Sequence, residues 1–182
     1  LELIKKFGPV AISDVISGIL GSVFWFYLAT MLTTNDYGEI QFFISIAGLG
    51  AGFALIANSN TITVFEIKKR GLTGILFLIS LLAGAIVCLV LFIIYSRFDI
   101  VILTFGILSG EMIIGYFLGK KLFSKYAIMW ISQKVLMLIL GIGFYFIIGI
   151  EGIIYGIGIS YSLFVIIILK NLKESTSDFS LI

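Results

Sequence analysis

Residues 68–97 read KKRGLTGILFLISLLAGAIVCLVLFIIYSR, and this stretch decides the fold. Three cations, Lys68, Lys69 and Arg70, open it; no charge interrupts 71–95; Arg97 closes it. A helix rises about 1.5 Å per residue and a bilayer's hydrocarbon core is about 30 Å thick, so the run predicts one membrane crossing. Backbone polar groups in lipid must be satisfied internally, which leaves helices or a closed barrel. The run is too long for a barrel strand and lacks strict polar alternation. It reads as helix.

Working outward, comparable runs lie at 9–32, 39–64, 100–119, 126–149 and 152–169. The sequence therefore predicts an all-α polytopic membrane protein, a bundle of six transmembrane helices in one lobe over 1–170. A polar cytoplasmic tail or linker follows over 171–182. The 182 residues are 60% hydrophobic and 12% charged, with mean hydropathy +1.21. A soluble domain of that size could not cover so much apolar surface with so few charges. The first run is longer than a signal-peptide core and lacks a small-residue cleavage site, so it is expected to stay. Pro9, the only proline, marks the expected start of the first helix. Leu1 stands where an initiator Met would, and we expect a chain that has lost residues at its start.

Ten of the twelve basic residues fall at alternate ends of these runs: Lys5, Lys6, Lys68, Lys69, Arg70, Lys120, Lys121, Lys125, Lys170 and Lys173. The opposite connectors carry Asp36, Glu39, Asp99 and Glu151, with Arg97 as their one cation. The positive-inside bias then predicts both termini in the cytoplasm, in a cell membrane. These cations punctuate membrane boundaries, so no nucleic-acid partner is expected. The connector at 33–38 reads as a turn, with Gly38 free to take positive φ. Glycines four apart at 48/52, 106/110, 115/119 and 152/156 predict close helix contacts.

Three ionisable residues interrupt the apolar runs: Asp14, Glu111 and Lys134. Each costs roughly 2.5–3.5 kcal/mol at bilayer centre, so each needs a reason. Glu111 and Lys134 each lie roughly 12 Å from the basic ends of their helices, which makes an ion pair geometrically reasonable. Three readings of Lys134 stay open: a structural pair with Glu111, a contact for an anionic headgroup, or snorkelling to the interface. Asn58, Asn60 and Gln133 join Asp14 in the same leaflet, and together they predict an inner vestibule or cation site. Tyrosines and tryptophans such as Trp25, Tyr126 and Trp130 fit interfacial anchors. With no His, one Cys and no acidic cluster at ligand spacing, no cofactor, metal site or enzymatic constellation is expected.

One segment resembles a known family. Phe26-Tyr27-Leu28-Ala29-Thr30-Met31-Leu32-Thr33-Thr34-Asn35-Asp36-Tyr37-Gly38-Glu39-Ile40 is similar to the first hairpin of the polysaccharide-biosynthesis flippases, in the multidrug/oligosaccharidyl-lipid/polysaccharide exporter superfamily. The stretch 48–52 and the cluster Lys68-Lys69-Arg70 resemble that family too, whereas Thr30, Asn58 and Asn60 stand where relatives often carry cations. The resemblance implies an amino-terminal lobe of a two-lobed transporter, completed by a second lobe or another copy. It further implies a lipid-linked glycan as substrate, moved by alternating access, with Lys134 attracting phosphate and Glu111 balancing it. Cation-coupled drug efflux, using Asp14 or Glu111, and a non-transporting membrane scaffold are the competing readings.

Overall fold

Every regular element among the described residues is a helix. The computed structural model describes residues 2–55, 59–67, 73–163 and 165–166. Its elements are α1 (Glu2–Met31), α2 (Thr34–Ala54), α3 (Ser59–Ile67), α4 (Thr73–Tyr95), α5 (Phe98–Gly119), α6 (Phe123–Ile148) and α7 (Ile150–Ser162). Four stretches are long and apolar enough to cross a membrane: Gly8–Met31, Thr73–Tyr95, Phe98–Gly119 and Phe123–Ile148. Their outward residues include Ile16, Phe26, Leu82, Ile86, Ile93, Ile139 and Ile147, all exposed and apolar. Such a surface suits lipid and not water.

Several boundaries differ from the sequence reading. Helix α1 begins at Glu2, so Pro9 lies inside it and not at its start. Hydropathy marks where apolar side chains begin, whereas a helix can continue into the headgroup region. The expected turn at 33–38 shrinks to an N-cap: Thr33 accepts a hydrogen bond from the Asp36 backbone N–H at 3.3 Å, and Gly38 is helical. Among the described glycines only Gly149 has positive φ, +75°. The predicted span 39–64 is not one described helix. Helix α2 ends at Ala54, where Leu55 turns to φ −76°, ψ 73°, and α3 starts at Ser59. Most of the sixth predicted span beyond α7, and Lys68, Lys69, Arg70, Lys170 and Lys173, lie outside the described residues.

Helix α5 is the centre of the bundle, packed against α2, α3, α4 and α7, while α6 packs on α1 and α7. Two apolar cores divide it by depth. One, at the Lys120 end, joins Ala54, Ile62, Phe77, Leu108, Met112 and Met129; the other, at the Arg97 end, joins Phe24, Leu28, Ile40, Leu103, Ile153 and Ile157. Close approach follows the glycines selectively. A Cβ on Gly156 would sit 2.4 Å from the Gly141 backbone N, and one on Gly158 would sit 2.8 Å from Leu103 N. Gly106, Gly110, Gly119 and Gly152 are similarly confined, but Gly48 and Gly52 face open space. Dispersion across such short backbone separations is what holds helices together where water gives no drive.

Chain adjacency fails for one pair. Only two residues link α1 to α2, yet the helices barely touch. The stripe Ser13, Ser17, Phe24 and Leu28 is buried, and Phe24 seats on Gly141 of α6. A short link fixes where two helix ends meet, not which faces fit.

Candidate functional site: a groove between α1 and α6

Beside its buried stripe α1 presents a second one, Asp14, Gly18, Gly21, Ser22, Trp25 and Ala29, repeating at helical spacing. This stripe faces a groove of about 790 Å³, whose other wall comes from Tyr126, Trp130 and Lys134 of α6, with Tyr37 at the far end. From Asp14 to Ala29 the groove follows α1 for roughly 22 Å. It is lined mainly by apolar and aromatic groups, with its charged groups toward the Lys120 end.

Three contacts organise that end. The Tyr126 hydroxyl donates to Asp14 Oδ1 at 2.8 Å. The Tyr126 and Trp130 rings stack with centroids 6.4 Å apart. The Lys134 ammonium lies 5.0 Å from the Trp130 ring centroid and 5.9 Å from that of Tyr161. Cations held on aromatic faces keep their charge available to a further anion.

The expected Glu111–Lys134 ion pair is not formed within 4 Å. Glu111 instead lies within electrostatic range of the Tyr126 and Tyr161 phenols. Equal depth on two helices does not make two side chains face each other: Lys134 turns along α6 onto Trp130. Gln133 does not line this groove either. It is buried between α6 and α7, where its Nε2 donates to Ser160 Oγ at 3.1 Å and its Oε1 has no partner among the described residues. Adjacent residues on a helix point about 100° apart, so Gln133 and Lys134 serve different environments. Asn60 is exposed on α3, away from the groove, and Asn58 lies outside the described residues.

Of the predicted site residues, Asp14 and Lys134 meet in the groove; Glu111, Gln133 and Asn60 do not line it. Sequence reasoning missed Gly18, Gly21 and Ser22, although the small and polar stripe along α1 was readable at 3.6-residue spacing. It also placed Trp25, Tyr126 and Trp130 as interfacial anchors, and the structure puts all three on the groove wall.

A separate cluster ties the opposite end together. Arg97 reaches Asp99 through two hydrogen bonds, Nε–Oδ1 at 3.2 Å and Nη2–Oδ2 at 2.7 Å. It also donates to Glu39 Oε1 at 2.8 Å, lies 3.8 Å from Glu151 Oε1, and stacks 4.3 Å above the Phe43 ring. Its bond to Asp99 holds the guanidinium above its ordinary value; burial opposes this and Glu39 adds to it. One cation thus clasps α2, α5 and α7 where all three begin.

No protein-family model, curated protein or solved structure matches the chain. The functional reading therefore rests on the residues.

Proposed function

We propose that this chain is a six-span lobe of a flippase that moves lipid-linked oligosaccharide or polysaccharide precursors across the cell membrane. The six spans would be α1, α2 with α3, α4, α5, α6, and α7 with the residues that follow. The charge bias places the Lys120 end in the cytoplasm, and the Arg97 clasp outside. On this reading the groove forms part of a path that a second lobe, of the same polypeptide or another copy, completes by alternating access. The observation that carries it is Lys134: an ammonium at membrane depth, held on two aromatic rings, with no carboxylate of the described residues within 4 Å. A diphosphate headgroup supplies the missing anion. Glu111, too far to pair with Lys134, would act through Tyr126 and Tyr161 and not as its direct counter-ion.

The test is Lys134→Ala in the full-length protein. Loss of glycan export at normal expression is the expected result, and unaltered export would remove the phosphate role. A second reading, cation-coupled efflux, draws on the Asp14 carboxylate in the same groove, bonded to Tyr126. It requires transport that follows a proton or sodium gradient and stops with Asp14→Asn. A scaffold subunit would have the polar cluster fully packed, and the groove argues for a transporter instead.

A further inference from the structure

Helix α1 carries a polar stripe on a surface that otherwise suits lipid. Asp14, Gly18, Ser22 and Ala29 are all exposed, and so are their apolar neighbours Val15 and Val23. Asp14 and Ser22 both fall within the candidate span Gly8–Met31. Hydrocarbon offers neither group a hydrogen bond, so a carboxylate and a hydroxyl on an open face call for a covering partner. A Cβ added at Gly18 would meet nothing within 4 Å, whereas Gly141 and Gly156 already press on neighbouring helices. Small residues spaced as Gly18 and Ser22 are let a second helix come close in lipid, and no described helix takes that place.

The charges say what the partner carries. The groove holds one carboxylate and one ammonium, Asp14 and Lys134, and no carboxylate of the described residues lies within 4 Å of Lys134. The two groups are nevertheless at one depth. Asp14 and Phe24 of α1 meet Tyr126 and Gly141 of α6, so the two helices run the same way. Counting back equally from Phe24 and Gly141 sets Asp14 level with Ile131, and the Lys134 ammonium folds back one turn over Trp130 to the same height. A face that presents opposite charges at one depth is complementary to its own copy, turned about a two-fold axis along the membrane normal. Spread over roughly 22 Å, the groove's 790 Å³ gives a section of about 36 Å², under half that of a helix about 10–12 Å across. It takes one ridge of a helix, not the whole.

We propose that this face is the interface with a second copy of the same chain. Helix α1 of each copy lies against α1 of the other along Gly18 and Ser22 and lays a ridge into the other's groove. Asp14 of each copy pairs with Lys134 of the other, an ion pair that neither chain makes alone. The inference rests on the proposed function: it takes another copy as the completing lobe, and makes Asp14 of the second copy the anion that Lys134 holds when no phosphate is bound.

Cross-linking between copies reads this directly. The protein's one cysteine, Cys88, is buried in α4 and is first replaced by Cys88→Ser. In membranes holding the full-length protein, Ser22→Cys should give a disulfide-linked dimer on mild oxidation. Leu82→Cys, on the exposed apolar face of α4, should not. Adding Asp14→Lys or Lys134→Asp to Ser22→Cys sets like charges against each other and should lower the dimer about tenfold or more. Co-expressing the two reversed chains, tagged at different sizes, should restore the dimer between them, because each supplies the charge the other lacks. That restoration also shows that both variants fold. No dimer from Ser22→Cys, equal yield from Leu82→Cys, undiminished yield in either single reversal, or no restoration on co-expression would each overturn the interface. A groove filled by lipid alone gives the first of these results. The flippase reading fails separately: export that survives Lys134→Ala removes it, whatever the cross-links show.

Discussion

Tyr126 and Asp14, 112 residues apart in the chain, share a hydrogen bond of 2.8 Å that joins the Lys120 end of α1 to α6. Helix α1 has little contact with α2, so this bond and the seat of Phe24 on Gly141 are its main lateral anchors. A bond of this kind contributes about 1 kcal/mol, more where the acceptor is charged.

Tyr126→Phe should therefore lower stability by about 1–2 kcal/mol, read from thermal unfolding in detergent. Asp14→Asn, which keeps an acceptor oxygen, should cost less. Equal losses from the two variants would mean that the charge, not the bond, matters.

Arg97→Gln leaves the buried Asp99 carboxylate without its cation, and removing one partner of such a pair typically costs about 3 kcal/mol. Because Arg97 ties together the amino-terminal ends of α2, α5 and α7, proteolysis of their connectors should increase along with the fall in melting temperature.

The same clasp predicts a pH dependence. Asp99 and Glu39 hold the Arg97 guanidinium above its ordinary, already strongly basic value, so the stability it contributes is fully present below that value and is lost only at still higher pH. Raising the pH from 7 to 11 should not open the wild-type clasp. In Arg97→Lys the cation titrates from about 10.4 upward, so the stability gap between variant and wild type should widen above about pH 10. A constant gap over that range would show that the cation's charge contributes nothing.

Gly156→Ala pushes a methyl into the Gly141 backbone and should cost about 1–3 kcal/mol, with α6 and α7 forced apart. Gly48→Ala meets open space and should be neutral or slightly stabilising through helix propensity. The four-residue spacing is the same at 48/52 and 152/156, so the contrast isolates tertiary contact.

Gln133 and Ser160 make a mixed case. Ser160→Ala strands the buried Gln133 amide and should cost about 1–3 kcal/mol, whereas Gln133→Met combined with Ser160→Ala should restore most of it. If the double variant is as unstable as the single, the amide has another partner.

The sequence by itself determined that this chain is helical and apolar enough to enter a bilayer, because those properties are sums over neighbouring residues. The uncharged run at 71–95 becomes α4 almost to the residue. It also exposed Asp14 and Lys134 as residues that lipid does not tolerate without cause, and both reach the groove. Depth along a helix was legible, since it is only a count of residues. Azimuth was not. Gln133 and Lys134 are neighbours in the chain and face different surroundings; Glu111 and Lys134 share a level and do not pair. Which way a helix turns depends on where a glycine lets its neighbour approach, as Gly141 does for Phe24, and that contact has no local signature. The tertiary structure alone decided that α1 leans on α6 and not on α2, that Arg97 gathers three acids from the starts of three helices, and that Gly18 and Gly21 line open space. Each of these joins residues far apart in the chain, and only packing selects which distant surfaces meet.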